Sequence, residues 1–170
     1  MGTRALIGII KSDETVHATN VHDGEITSAG RMLARHYRDE QKVKELISLG
    51  HYGISSIGKE IGEKHRWDEQ REEFCSFYGR DRGEKRYVSF TKYDSVKEFL
   101  YEAGNWDYLY LFNPKDNSWT AFKYGDRDNG PKEVPIPGNR AHNKYDAMFE
   151  GKKHPLTENY ERFFKKTIVR

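Results

Sequence analysis

The stretch that most constrains the fold is a pair of apolar runs joined by a polar turn. Residues 107–112 begin with Asp107 and then alternate aromatic and aliphatic side chains, and residues 118–124 form a second run, which contains Trp119 and Phe122. The residues between the runs, 113–117, include proline, asparagine and aspartate, which favour turns. The stretch therefore predicts two antiparallel strands connected as a β-hairpin.

A second hairpin and two helices are predicted from the first fifty residues. Residues 4–10 are apolar and rich in branched side chains, and residues 15–21 alternate loosely beyond a polar turn, so both predict strands. Residues 26–37 place apolar side chains at the i, i+3, i+4 spacing of one helix face. A shorter helix is predicted over residues 42–49, where Gly50 ends it.

The most unusual motif is residues 78–84, Tyr-Gly-Arg-Asp-Arg-Gly-Glu, between the aromatic-rich runs 74–78 and 86–90. The runs predict strands and the motif predicts the loop of a hairpin, since its two glycines can supply a positive φ. A turn that only reversed the chain would need its glycines and one short polar residue. The additional guanidinium groups and carboxylates therefore indicate a binding site.

These elements, with a helix following Asp94, predict an α+β fold. We expect a mainly antiparallel sheet built from hairpins, with the helices packed on one face. Residues 1–124 would form this domain, residues 125–138 a linker or arm rich in proline and glycine, and residues 139–170 a basic, aromatic, partly helical tail.

Composition limits the classes of function. The chain is 33% charged and 14% aromatic, with a formal net charge of +2, so it has no general attraction to nucleic acid or membranes and any anion site must be a local cluster. The single cysteine, Cys75, lies between aromatic residues and predicts a core thiol. No run is apolar enough to span a membrane or to form a signal peptide, so we expect a cytoplasmic protein. Neither a metal-ligand spacing nor a phosphate-binding loop is found, and we expect no cofactor and no metal.

Several short motifs, taken in order, resemble a family of small bacteriophage and prophage proteins that begin Met-Gly-Thr-Arg. The motifs extend over about residues 1–124 and are Met1-Gly2-Thr3-Arg4, Asp23-Gly24, His36-Tyr37, Leu49-Gly50, Ser55-Ser56-Ile57-Gly58, residues 78–84 and residues 108–112. The resemblance implies a phage origin and the host cytoplasm as the location. It implies no chemistry, because the family has no assigned activity.

The chain departs from this family at two places. Residues 22–26 read His-Asp-Gly-Glu-Ile where the family has Trp-Asp-Gly-Tyr-Pro, so the aromatic residues of that motif are missing. The stretch between Gly50 and Ser55 is longer, with residues 51–53 inserted. Residues 125–170 have no counterpart in the resemblance.

The first functional hypothesis is a phage accessory protein for host takeover or counter-defence, which captures an anionic ligand such as a nucleotide, or a host protein. Arginine suits phosphate or carboxylate because its guanidinium offers two parallel donors. The candidate ligand-binding residues are Arg4, Asp23, Ser55, Ser56, Tyr78, Arg80, Asp81, Arg82 and Glu84. The alternative interpretation of the charged motif is a set of salt bridges that only rigidify the loop.

Two other classes of function stay open. The protein could be a small phosphoester or amide hydrolase that uses aspartate, histidine and glutamate around the same loop, although we assign no catalytic residue. It could also be a virion or assembly component that forms a homo-oligomer through its arm and tail. Nucleic acid binding by the basic tail is not favoured, because aromatic tails of this kind more often dock on their own domain or on a second subunit.

Overall fold

The computed structural model describes residues 2–102, 106–124 and 130–137. Within these ranges eight strands form one sheet: β1 (Ala5–Ile10), β2 (Val16–Val21), β3 (Ile54–Ser56), β4 (Ser76–Phe77), β5 (Thr91–Tyr93), β6 (Tyr108–Asn113), β7 (Ser118–Tyr124) and β8 (Pro131–Val134). The helices of these ranges are α1 (Arg31–His36), α2 (Glu40–Leu49), α3 (Tyr78–Arg82) and α4 (Val96–Glu102), and a π-helical turn, Ile26–Gly30, leads into α1. The predicted α+β class is confirmed.

The sheet is mainly antiparallel and is centred on β1. Its order is β4-β3-β2-β1-β6-β7-β8, and β5 pairs with β2 off this path. Both predicted hairpins, β1–β2 and β6–β7, are present, and β8 adds an antiparallel edge strand to β7. Two pairs, β1–β6 and β2–β3, are parallel.

Helices cover both faces of the sheet, which corrects one detail of the prediction. Ala5 and Ile7 of β1 join the core that α1 and α2 cover, whereas Leu6 joins a second core with Phe99 and Leu100 of α4. The prediction that helices lie on one face is therefore wrong for α4. The physical reason is that strands such as β6 are apolar on both sides, so each face must be shielded from water.

The motif at residues 78–84 is not a hairpin loop but the short helix α3. The Asp81 carboxylate accepts the backbone N–H of Phe77, the residue just before the helix, at 2.8 Å. Gly83 ends the helix with a left-handed φ of 77°, and the Glu84 N–H bonds to the Tyr78 carbonyl at 2.9 Å. This last bond spans the end of the helix in the manner of a Schellman motif.

Residues 86–90 do not form the predicted strand either. The N–H groups of Ser89 and Phe90 bond to the carbonyl of His51 at 2.7 and 3.2 Å, and the Ser89 hydroxyl accepts the Asn20 N–H at 2.9 Å. Ser89 thus anchors the segment against β2, and the strand begins only with β5. The short run β4 pairs with β3 instead of with this segment.

Part of the interval predicted as a linker or arm, 125–138, belongs to the sheet. Residues 131–134 form β8, and Ile136 is fully buried in the core with α1 and α2. The predicted tail, residues 139–170, lies outside the described residues. Independent folding of residues 1–124 stays a prediction.

Candidate functional site

The centre of the charged motif is an ion pair between neighbouring side chains, Arg80 and Asp81. Arg80 Nε donates to Asp81 Oδ1 at 2.9 Å, and a terminal nitrogen donates to Oδ2 at 3.1 Å. The same guanidinium also bonds to the carbonyls of Gly62 at 2.8 Å and Cys75 at 3.1 Å. The Asp81 side chain is fully buried and that of Arg80 is 13% exposed. Arg80 is therefore occupied by contacts within the protein.

Asp81 holds the chain around residue 65 as well as the start of α3. Its Oδ1 accepts the His65 N–H at 3.1 Å, and its Oδ2 accepts the Phe77 N–H. Burial alone raises the pKa of Asp81, but the bonds from Arg80, Phe77 and His65 outweigh burial, so the net pKa lies below the ordinary value. The carboxylate is ionised at neutral pH, and its hydrogen bonds hold together the segments that contain His65, Phe77 and Arg80.

A serine and a histidine extend this network. His65 Nδ1 lies 3.6 Å from Asp81 Oδ1, and His65 Nε2 lies 3.3 Å from the Ser76 hydroxyl. The order Ser76, His65, Asp81 is that of the nucleophile, base and carboxylate of a catalytic triad. Ser76 is fully buried in β4, however, so its hydroxyl cannot meet a substrate in this conformation. In this arrangement the three side chains hold the segment near His65 against β4 and α3.

A row of aromatic side chains lies on the other side of α3, and we call it the aromatic row: His22, Tyr78 and Trp67. The Tyr78 ring centroid lies 4.9 Å from that of His22 and 5.1 Å from that of Trp67. Arg82 Cζ lies 5.4 Å from the Trp67 ring and 6.0 Å from the Tyr78 ring, within cation–π range. Arg82 and His22 are exposed, and the other two side chains are half-buried. The row thus combines three side chains that are at least partly accessible to solvent with an exposed cation.

A second cation lies near the opposite end of the row. Partial burial lowers the pKa of His22, and the positive charge of Arg4 lowers it further, so the imidazole is neutral at pH 7. Arg4 is exposed, and its backbone N–H, not its side chain, bonds to Asp107 at 2.9 Å. The Gly24 N–H bonds to the Thr3 carbonyl at 2.7 Å, so the segment that carries Arg4 lies beside residues 22–24 at the His22 end of the row.

The other predicted site residues lie on β3 or close to the ends of β2 and α3. The Asp23 N–H bonds to the Ser55 carbonyl at 2.9 Å, which holds the exposed Asp23 beside β3. Ser55 and Ser56 belong to β3, and Ser56 pairs with Ser76 across β4. Glu84 is half-buried, and its carboxylate accepts the Arg86 N–H at 3.2 Å.

The predicted core location of Cys75 is confirmed. The thiol is fully buried, 3.0 Å from the Tyr37 hydroxyl, and it accepts the Gly58 N–H at 3.4 Å. Burial raises its pKa, although the bonds from Tyr37 and Gly58 oppose this effect. A protonated, enclosed thiol is a poor nucleophile.

The sequence analysis assigned no role in the site to His65, Trp67 or Ser76, and it considered His22 only as an acid–base group of the hydrolase alternative. The available signal was Trp67, a single indole within the densely charged residues 63–73. An aromatic side chain in such a stretch needs a packing partner, and here that partner is Tyr78. For His65 and Ser76 the sequence offered no comparable signal.

Among the described residues, no group of three histidine, cysteine, aspartate or glutamate side chains is placed to hold a metal ion. A search of the described helices found none that is long and apolar enough to cross a bilayer. No protein-family model, curated protein or solved structure matches this chain. The site must therefore be interpreted from its own geometry.

Proposed function

We propose that this protein captures an anionic ligand that carries a planar ring, and that a nucleotide is the ligand class that fits it best. The observation that carries the proposal is the position of Arg82, whose guanidinium lies beside the rings of Trp67 and Tyr78. A phosphate can bind to the two parallel donors of the guanidinium. A base can stack on an aromatic face of the row.

The contrast between Arg82 and Arg80 supports this assignment. Arg80 donates to a carboxylate and to backbone carbonyls, whereas Arg82 is exposed and forms no ion pair with any described residue. Because Arg82 forms no ion pair with a described residue, no ion pair has to be broken before it binds an anion. The free-energy cost of binding an anion is therefore lower at Arg82 than at Arg80.

The motif resemblance supplies the biological part of the proposal. A small phage-encoded protein in the host cytoplasm could use such a site to remove a nucleotide signal, in host takeover or counter-defence. A host protein with an exposed acidic group and an aromatic side chain is the alternative target of the same surface. This part of the proposal is supported by the resemblance alone.

The hydrolase alternative gains no support from the carboxylate at the centre of the motif. Asp81 is buried and ionised and accepts four hydrogen bonds from three residues, so it has no free lone pair directed at solvent. The Ser76 hydroxyl that could act with it is enclosed. A binding role at the aromatic row needs no such rearrangement.

Fluorescence titration with AMP tests the proposal. The chain has three tryptophans, and Trp119 is only 5% exposed, so a signal that disappears in Trp67→Phe identifies Trp67 as the reporter. We expect AMP to quench Trp67 emission. Adenosine and inorganic phosphate should each bind more weakly, because each offers only part of the contacts.

Two arginine variants provide the matched control. Arg82→Ala should lower AMP affinity by roughly 10- to 100-fold, the effect of losing a charge-assisted hydrogen bond. Arg66→Ala should leave it unchanged, because Arg66 is paired with Asp68 at 3.1 Å on the neighbouring surface. Equal AMP affinity in the wild type and Arg82→Ala, or no quenching at millimolar AMP, would contradict the proposal.

A further inference from the structure

We infer that the aromatic row is one end of a longer platform for single-stranded nucleic acid. This inference rests on the proposed function, since it extends the same site from one nucleotide to several. It is carried by a second set of surface rings, by the contact that joins them to α3, and by the basic segment between the two sets.

The second set consists of His17, Phe90, His51 and Tyr52, and we call it the second ring group. Ring centroids are 5.3 Å apart for His17 and Phe90, 6.0 Å for Phe90 and His51, and 4.9 Å for His51 and Tyr52. The His51 and Phe90 rings are stacked, with an interplanar angle of 22°. None of the four side chains is buried, and His51 is exposed.

Tyr52 joins this group to the aromatic row. Its ring lies against Gly79 of α3, where a Cβ atom would be only 2.8 Å from Tyr52 Cδ2. Glycine is therefore required at this position for the ring to lie so close to the helix. Since Gly79 follows Tyr78 directly, Tyr52 packs against the residue next to the aromatic row.

The chain between the two ring sets is basic. Arg82, Lys85 and Arg86 are exposed and form no ion pair with a described residue, and the Tyr87 side chain between them and Phe90 is 76% exposed. The nearest carboxylate in sequence, Glu84, accepts a backbone N–H from this segment. In the sequence, three exposed cations therefore lie between Tyr78 of the aromatic row and Phe90 of the second ring group.

More cations are found at the far end of the second ring group. Partial burial lowers the pKa of His17, and the charges of Lys11 and Lys92 lower it further, against an opposing effect of Asp13. His17 pairs with Lys92 across β2 and β5, and Lys11 directly follows β1, whose last residue, Ile10, pairs with Val16. Cationic residues therefore lie near both ring sets: Arg4 and Arg82 near the aromatic row, and Lys11 and Lys92 near His17.

This combination suits single strands better than other polyanions. Proteins that bind single-stranded nucleic acid without sequence preference combine a positively charged surface with aromatic side chains on which successive bases stack. The bases of a duplex are already stacked inside and cannot reach such rings. An acidic peptide would pair with the cations but would leave the ring faces uncovered.

Fluorescence anisotropy with fluorescein-labelled dT12, and competition by dT4 and TMP, tests the inference on the full chain. We expect dT12 to bind at least about 100-fold more tightly than TMP, because each additional stacked base adds roughly 10-fold in affinity. A hairpin duplex and polyglutamate should compete poorly. His51→Ala, and as a second variant Phe90→Leu, should weaken dT12 binding about 10-fold while TMP still quenches Trp67.

A pair of double variants distinguishes binding at this surface from a general effect of the protein's net charge. Lys85→Ala/Arg86→Ala should weaken dT12 and reduce the salt dependence of binding. Lys115→Ala/Lys123→Ala removes the same charge from exposed positions on β6–β7 and should change neither. If TMP binds and dT12 binds no more tightly, or if duplex or polyglutamate competes equally, the inference is overturned and the proposed function stands. If dT12 does not bind, the inference is overturned, and if AMP and TMP do not bind either, the proposed function is overturned with it.

Discussion

Arg80 and Arg82 are two residues apart and have opposite surroundings. Successive residues of an α-helix are rotated by about 100°, so positions i and i+2 face nearly opposite directions, whereas in a strand they share a face. Interpreting residues 78–84 as a hairpin loop therefore grouped the two guanidiniums, and the helix separates them. A helix of five residues has no repeating apolar period, so periodicity could not reveal it.

At this scale we expect Asp81→Asn to destabilise the protein strongly. The change removes the buried charge that pairs with Arg80 and replaces one acceptor oxygen with an NH₂ group that cannot accept the bonds from Phe77 or His65. Removing one partner of a buried ion pair typically costs about 3 kcal/mol or more. Urea unfolding measures the loss, and Asp68→Asn, in an exposed pair with Arg66, is the control with an expected cost below about 1 kcal/mol.

The difference in stability between the wild type and Asp81→Asn should also depend on pH. The pKa of Asp81 is lower in the folded protein than in the unfolded chain. Its stabilising effect is therefore complete above the unfolded pKa of about 3.9 and is lost as the pH falls through the folded pKa. The stability difference between wild type and Asp81→Asn should narrow in acid, and a difference that is constant down to pH 2 would contradict the assigned role.

Long, periodic elements could be predicted from the sequence, and short ones could not. The β1–β2 and β6–β7 hairpins and the helices α1, α2 and α4 each have enough residues to show a period. In contrast, β3, β4 and β5 contain two or three residues, and their pairing depends on which distant strand is available. The anchoring of Ser89 by β2 decides where β5 begins, and no local pattern encodes it.

The start of α4 provides a prediction at the scale of the element. Ser95 caps the helix, because its hydroxyl accepts the Glu98 N–H at 3.0 Å while the Glu98 carboxylate accepts the Asp94 N–H. This reciprocal pattern is close to a capping box. Ser95→Ala should cost about 1 kcal/mol of unfolding free energy. Asp94→Ala keeps the backbone donor and should cost much less, and equal losses would contradict the assignment.

The titration of Glu133 in the edge strand β8 should make the stability of the protein depend on pH. Burial raises the pKa of Glu133 to about 7, and its Oε2 has no hydrogen-bond partner among the described residues. Because the folded pKa exceeds the ordinary 4.5, the folded protein binds the proton more tightly, and stability falls as the pH rises from 4.5 to 7. Glu133→Gln should raise the melting temperature at pH 8 and change it little at pH 4. An equal shift at both pH values would contradict this.

At the scale of the whole molecule, the site depends on contacts that no single stretch of sequence contains. His22 follows β2, Trp67 lies in the segment before β4, and Tyr78 begins α3, yet the three rings are in contact. The sequence indicated that residues 78–84 and Arg4 are unusual. It could not indicate which side of the motif faces solvent, because that depends on the pairing of β3 with β4 and on the position of α3 beside them.

Truncation tests how the chain beyond β7 contributes. A chain ending at Pro137 keeps β8 and the buried Ile136, and one ending at Tyr124 loses both. We expect both to unfold cooperatively, the shorter at a lower temperature, because fully burying an isoleucine contributes roughly 1.5–3 kcal/mol. Equal melting temperatures would show that β8 contributes nothing, and absence of a cooperative transition in the shorter chain would contradict a domain boundary near residue 124.

The measurement that most directly tests the division of α3 into a structural side and a binding side uses one alanine variant of each arginine. Melting temperature and AMP affinity are determined on the same purified samples of Arg80→Ala and Arg82→Ala. Arg80→Ala should melt well below the wild type, because it leaves the buried Asp81 without its partner. Arg82→Ala should keep the wild-type melting temperature and lose AMP binding by roughly 10- to 100-fold. An Arg82→Ala protein that is destabilised and still binds AMP like the wild type would contradict the assignment of Arg82 to a ligand site.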